Sequence, residues 1–319
     1  MAKRAKPKKS LGKGPISRNV LSSARQLLQQ KVVDLAEWRD AKIRAEDFDK
    51  TIRSQPELST YDPVHGVYIY GQNQLSVLIE QLTTLPMLDP LTDAYAEAED
   101  DYMPSGPPIS PLTKSYFTSW GFFDLHAGAQ KETFGTVTIE LCKFLKVDAG
   151  LIRIFEIMQQ SRMGLYVHEG MSGHHVLLRE LITHREIRAI SASGYQGRPG
   201  ELWFARVLPA PFDHEPFDYS VVFTTPYIAG KLKDKQTFSP ATEPDWVAYF
   251  ERTLDQTGVA DPELAYAALM KDGLSRHYWN EYVLLAYLNH QPDMIVLAGF
   301  PDIPSSLPHT KEGEARFGF

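Results

Sequence analysis

The residues with the most evident chemistry lie in one short stretch, Tyr166-Val-His168-Glu169-Gly-Met-Ser-Gly-His174-His175, with His184 further on. Imidazole nitrogens bind first-row divalent metals, and a carboxylate beside them can ligate or act as a general base. If residues 165 to 168 and 176 to 181 pair as a hairpin, the turn brings His168 toward His174 or His175. Such donors plus a water make the open site of a catalytic zinc in a metal-dependent hydrolase, with Glu169 as its base. The spacing departs from the helical H-E-x-x-H pattern, because His174 stands five positions after Glu169 rather than three. Neighbours in a strand also face opposite ways, so His174 and His175 do not both reach one ion. The competing reading is a surface turn that carries histidines without a metal. The acidic loop from Asp213 to Asp218 either lends carboxylates to such a site or is simply solvated.

A second pattern interleaves cations with aromatic rings: Arg179, Arg185, Arg188, Tyr195, Arg198, Trp203, Phe204 and Arg206. Small barrels that hold single-stranded nucleic acid pair a basic groove with stacking rings, which makes Arg188, Arg198 and Arg206 candidate binding residues. The same alternation suits an ordinary sheet in which arginines pair across strands with Glu180, Glu186 and Glu201 while Trp203 or Phe204 enters the core.

The strongest electrostatic feature is at the start of the chain. Residues 1 to 18 carry Lys3, Arg4, Lys6, Lys8, Lys9, Lys13 and Arg18 and no acid, so a chain of formal charge −7 has −14 on its remainder. A segment of this kind either attaches to a polyanion by displacing its counterions or serves as a solubilising tail.

Other possibilities lack support in the residues around them. Gly194, Gly197 and Gly200 are followed by no Lys-Ser or Lys-Thr, so they make no phosphate loop. Ser172, Ser191 and Ser193 stand in no nucleophile elbow. Cys142 adjoins an apolar helix face and reads as a buried structural thiol. His277 to Asn280 open a helix as packing residues. The single cysteine excludes an intrachain disulfide and suits a reducing cytoplasm. Met1 to Val20 has a basic flank with no apolar run behind it, and no stretch approaches the ~20 apolar residues that span a bilayer.

The elements that must position these residues follow from periodicity. Val20, Leu21, Leu27, Leu28, Val32, Leu35 and Trp38 stripe a helix that starts near Ser17 or Asn19. Val67 to Tyr70 reads as a short extended piece, with a turn at Gly71 and a helix from Asn73. Five acids between Asp93 and Asp101, then a proline-rich run, mark a loop and a seam over residues 102 to 112. Residues 131 to 163 predict two helices, the first burying Phe134, Val137, Leu141, Phe144 and Leu145, the second capped by Asp148. Five short strands follow within residues 165 to 225, then helices over 245 to 254, 262 to 271 and 274 to 288, and a last strand at 294 to 297.

The expectation is an α+β fold: a helical N-terminal region, a central antiparallel sheet or small barrel over about 164 to 226, and C-terminal helices. Its divisions are a disordered basic tail (1 to 18), a helical region (19 to 101), the proline-rich loop, and an α+β region (113 to 319) that can form one compact unit with the helical region. The leading functional expectation is a non-enzymatic binding protein of a cytoplasmic assembly, without a cofactor, whose tail contacts nucleic acid or an acidic protein partner and which does not associate with a membrane. The alternatives are the zinc hydrolase of His168, Glu169, His174 and His175, and a structural or regulatory interaction protein with a merely solubilising tail.

Overall fold

The computed structural model describes residues 14–29, 58–102, 111–233, 237–273, 287–291 and 294–298. Eight α-helices stand among these: α1 Pro15–Gln29, α2 Pro63–Leu82, α3 Asp89–Tyr102, α4 Pro111–Phe123, α5 Phe134–Leu145, α6 Ala149–Gln160, α7 Glu243–Thr253 and α8 Pro262–Asp272. The strands are β1 Met163–Ser172, β2 His175–Glu180, β3 Glu186–Ser191, β4 Leu202–Leu208, β5 Ser220–Val222, β6 Tyr227–Lys233, β7 Thr237–Pro240, β8 Tyr287–Gln291 and β9 Met294–Ala298. The fold is α+β, as the sequence leads one to expect.

The five central strands run in the order β1-β2-β3-β5-β4, and β4 pairs back onto β1, so the sheet closes into a barrel. Closure leaves these five strands without a free edge. Alternation fills the barrel from one face of each strand, with Tyr166, Val176, Leu178, Ile187, Ala189, Trp203 and Ala205 inside. The opposite faces carry the helices. Leu165, Val167, Leu202 and Phe204 pack with Trp120, Trp246 and Tyr266 of α4, α7 and α8. Ile190, Leu208 and Val221 share a second core with residues of α1, α2, α5 and α6, so the N-terminal helices pack directly on the barrel.

Several expectations change. The barrel is not wholly antiparallel, because β3 and β5 run parallel, Ala189 opposite Ser220. Strands β6 and β7 come before the helices expected after Gly230, β6 pairing with β4 beyond the barrel. Residues 67 to 70 are helical, within α2, whose start is fixed by Pro63 and by the Asp62 carboxylate accepting from the Val64 and His65 amides. Gly71 is no turn: a Cβ there would stand 2.7 Å from Ile154 Cγ2, so the glycine lets α2 lie close against α6. The acidic run is helix α3, with Leu91 and Ala98 buried while Asp93, Glu97 and Glu99 sit away from the core. In α5 the buried face turns toward Val137, Thr138 and Cys142, leaving Leu145 exposed. Burial pushes the Cys142 thiol up to about 11, in keeping with a structural role. Asp148 caps α6 as expected, accepting from the Leu151 amide at 3.0 Å. Tyr287 and Leu288 belong to β8 rather than a helix, while residues 30 to 57, the proline-rich run 103 to 110 and residues 274 to 286 lie outside the described residues.

One buried charge cluster ties the layers together. Asp124, after α4, accepts from Arg206 of β4 and from Lys271 Nζ of α8 at 2.6 Å. Lys271 spends its other protons on the Gln159 and Ser161 carbonyls at 2.8 and 2.9 Å. Arg206 also donates to Ser161 Oγ at 2.9 Å. Burial pulls the Lys271 pKa below the ordinary lysine value, opposed by the Asp124 charge. Loss of any one partner would leave a buried charge uncompensated, which makes the cluster costly to break.

Candidate functional site

The histidine stretch is divided by the barrel wall. His168 points inward from β1, fully buried against the Trp203 ring with centroids 4.9 Å apart. Its Nε2 donates to the Gln196 carbonyl at 2.8 Å and its Nδ1 accepts from the Gly170 amide at 3.2 Å. Both nitrogens are thereby committed to one neutral tautomer, leaving no lone pair for a metal. A bulge then shifts the register between His168 and Gly170, and Gly170, at φ 129°, takes the strained conformation. Glu169 turns outward to receive Arg179 Nε at 2.6 Å, and Arg179 reaches on to Glu243 of α7.

His175 begins β2, where Val176, Leu178 and Glu180 face inward, so His175 lies on the outer face. It stacks on His174 with centroids 4.1 Å apart and meets the edge of Tyr219 at 4.8 Å. The Tyr219 hydroxyl lies 2.8 and 2.9 Å from the two Asp62 oxygens. Partial burial of His175 lowers its pKa, and His174 and then Arg188 add to this. Its Nε2 is buried without a hydrogen-bond partner. Among the described residues, no three of His, Cys, Asp and Glu are placed to hold one metal ion.

The arginines also separate. Arg206 is inside, in the Asp124 cluster, and is out of reach of any surface ligand. Arg198 is exposed in the loop over the end of the barrel near His168. Arg188 lies near the other end, donating to Asp218 at 2.6 Å. Trp203 and Phe204 are fully buried, so no ring of β4 is free to stack on a base. The loop of Arg198 closes its end of the barrel. Trp203 Nε1 donates to Glu201 at 3.0 Å, the Tyr195 hydroxyl reaches the same carboxylate, and a Cβ on Gly197 would meet Trp203 Cζ2 at 2.4 Å.

The opposite end is open. A cavity of about 410 Å³ there is bounded by Arg162 and Tyr166, by Arg185, Ile187 and Arg188 around β3, and by Val207 and Ser220. Strand alternation explains the wall: Arg162, Gly164 and Tyr166 fall on one face, and Gly164 keeps space before the tyrosine. A Cβ at Gly164 would stand 2.5 Å from the Tyr166 hydroxyl and 2.9 Å from Glu180 Oε1. Glu180 is buried and satisfied, accepting from Arg162 Nη1 at 2.7 Å and Thr183 Oγ1 at 2.6 Å. Tyr166 is only 1% exposed. Burial first and Glu180 second hold its hydroxyl protonated, well above the usual phenol range.

Of the seven basic residues at the start of the chain, Arg18 lies among the described residues. Residues 1 to 13 lie outside the described residues, while residues 15 to 18, including exposed Arg18, form the first turn of α1. That turn is held from afar rather than by Ser17 or Asn19 as cap. The buried Glu132 carboxylate accepts from the Ile16 amide at 2.9 Å, the Ser17 amide at 2.8 Å and the Ser17 hydroxyl at 2.7 Å. This is the anion position at a helix N-terminus. A Cβ on Gly14 would stand 2.1 Å from Glu132 Cδ, so a larger residue here would displace the carboxylate that holds this turn.

Glu132 and Arg162 have no role in the sequence motifs, and Tyr166 enters them only as a neighbour of His168. Glu132 has no local signal, since its partners are 115 and 116 residues away. Arg162, Gly164 and Tyr166 carry one, the period-two spacing on β1, once that strand is begun at Met163 rather than Leu165. Compared with protein-family models, with curated proteins and with solved structures, the chain finds a match in none of the three.

Proposed function

We propose that this chain is a non-enzymatic binding protein whose basic N-terminal segment attaches it to a polyanion, the phosphates of a nucleic acid or the carboxylates of an acidic protein. The observation that carries this reading is charge segregation, +7 over residues 1 to 18 against −14 on the remainder. The fold adds a reason for the segment to act with the body. Three hydrogen bonds to Glu132 fix the chain at Ile16 and Ser17, so basic residues up to Lys13 lead straight into an anchored helix. The excess negative charge elsewhere repels a polyanion and confines attachment to the segment.

The hydrolase alternative asks His168, Glu169 and His174 or His175 to face one space. The fold instead commits both nitrogens of His168, pairs Glu169 with Arg179 and puts His175 beyond the barrel wall.

The test replaces Lys3, Arg4, Lys6, Lys8, Lys9 and Lys13 by glutamine in the full chain. Binding to a single-stranded oligonucleotide and to polyglutamate is then measured by fluorescence anisotropy. At 50 mM salt the variant is expected to lose on the order of 100-fold or more in affinity for whichever polyanion the unaltered chain prefers. Equal binding by both proteins would remove the segment from the function.

A further inference from the structure

We infer that the open end of the barrel is a second binding site, for a small phosphate- or carboxylate-bearing molecule, held by Arg185 at the rim and the Tyr166 hydroxyl within. It is independent of the basic segment.

The cavity of about 410 Å³ falls within the roughly 300–1,000 Å³ usual for small-ligand pockets. Its charged lining is not a neutral mosaic once the internal contacts are counted. Glu180 is consumed by Arg162 and Thr183, and Asp218 by Arg188. Arg185 is different. Its guanidinium is 60% exposed and forms a longer ion pair with Glu180 Oε2, at 3.6 Å, beyond hydrogen-bond length. The exposed guanidinium thus offers donors at the rim in the planar fork that suits a carboxylate or phosphate. Glu186 also borders the cavity, from an exposed position at the start of β3.

The inner end supplies an independent pointer. Tyr166 is 1% exposed and borders the cavity. A hydroxyl at a cavity wall has a ligand or water within reach as its natural partner. Since the hydroxyl stays protonated, it donates to an acceptor, which is what an oxyanion offers. Arg162, tied back by Glu180, adds positive potential without having to move. The absent side chain of Gly164 keeps the approach to the hydroxyl clear.

The experiment titrates the full chain with inorganic phosphate and, separately, with succinate, against chloride at equal ionic strength, following the thermal midpoint and heat of binding. A saturable rise in midpoint with one or both probes is expected. Arg185→Gln and Tyr166→Phe should each weaken it by about tenfold, the loss typical of one charge-assisted hydrogen bond. Tyr166→Phe removes only a hydroxyl and Arg185→Gln only the 3.6 Å ion pair to Glu180, so both proteins should fold as the unaltered chain does, which circular dichroism checks. The six-glutamine variant of the basic segment should bind the probes undiminished. Absence of saturation with both probes would overturn the site. So would binding that survives Arg185→Gln and Tyr166→Phe yet disappears in the six-glutamine variant, a result that assigns the anion to the basic segment alone.

Discussion

His175 shows how a single side chain can report its surroundings. Burial, His174 and Arg188 lower its folded pKa, whereas in the unfolded chain it titrates near the free value of about 6.5. The unfolded state therefore binds the proton first as pH falls. The stability tied to neutral His175 is complete above that value and is lost as pH drops below it. Urea midpoints taken from pH 7.5 to pH 5 should fall less for His175→Gln than for the unaltered chain; parallel curves would contradict the packing described around Tyr219. The residue's type and position in the sequence suggested chemistry, but only the bulge after His168 reveals that the two histidines occupy opposite sides of the wall. Such a bulge inverts the strand's phase and is invisible to any argument from spacing alone. Glu132 is a harder case, a lone carboxylate whose meaning comes from a helix more than a hundred residues earlier.

At the scale of elements, the strands were largely legible because alternation, β-branched residues and glycine turns agree over residues 163 to 208. The helices were misread where a glycine or a charge run has a tertiary reason. Gly71 illustrates this: turn chemistry and close helix packing both select glycine, and the sequence alone does not separate them. The difference can be measured. Gly71→Ala gains up to about 1 kcal/mol of helix propensity. It also drives a Cβ to 2.7 Å from Ile154 Cγ2 and 3.2 Å from Met158 Sδ, an overpacking that costs about 1–3 kcal/mol. A net loss of stability in urea is expected, and Gly71→Ala combined with Ile154→Ala should lose less than the sum of the two single changes. A more stable Gly71→Ala would mean that α2 and α6 do not meet as described.

The whole molecule joins a closed barrel, helices packed on its outer faces, and a charge distribution that the barrel does not neutralise. The α+β class follows from local patterns; barrel closure, which the sequence leaves open between a sheet and a barrel, is decided by the β1 and β4 pairing, and the parallel β3 and β5 pairing depends on the long connection through residues 192 to 219. No described helix is long and apolar enough to cross a membrane. The proposed function rests on the basic segment that precedes the anchored α1. The most direct measurement is the salt dependence of polyanion binding by the full chain. With seven cations over residues 1 to 18, the account predicts that log affinity for a single-stranded oligonucleotide falls linearly with log salt, at a slope of roughly −5. For polyglutamate a similarly steep fall is expected. Affinity indifferent to salt, or no binding to either polyanion at 50 mM, would contradict the central claim.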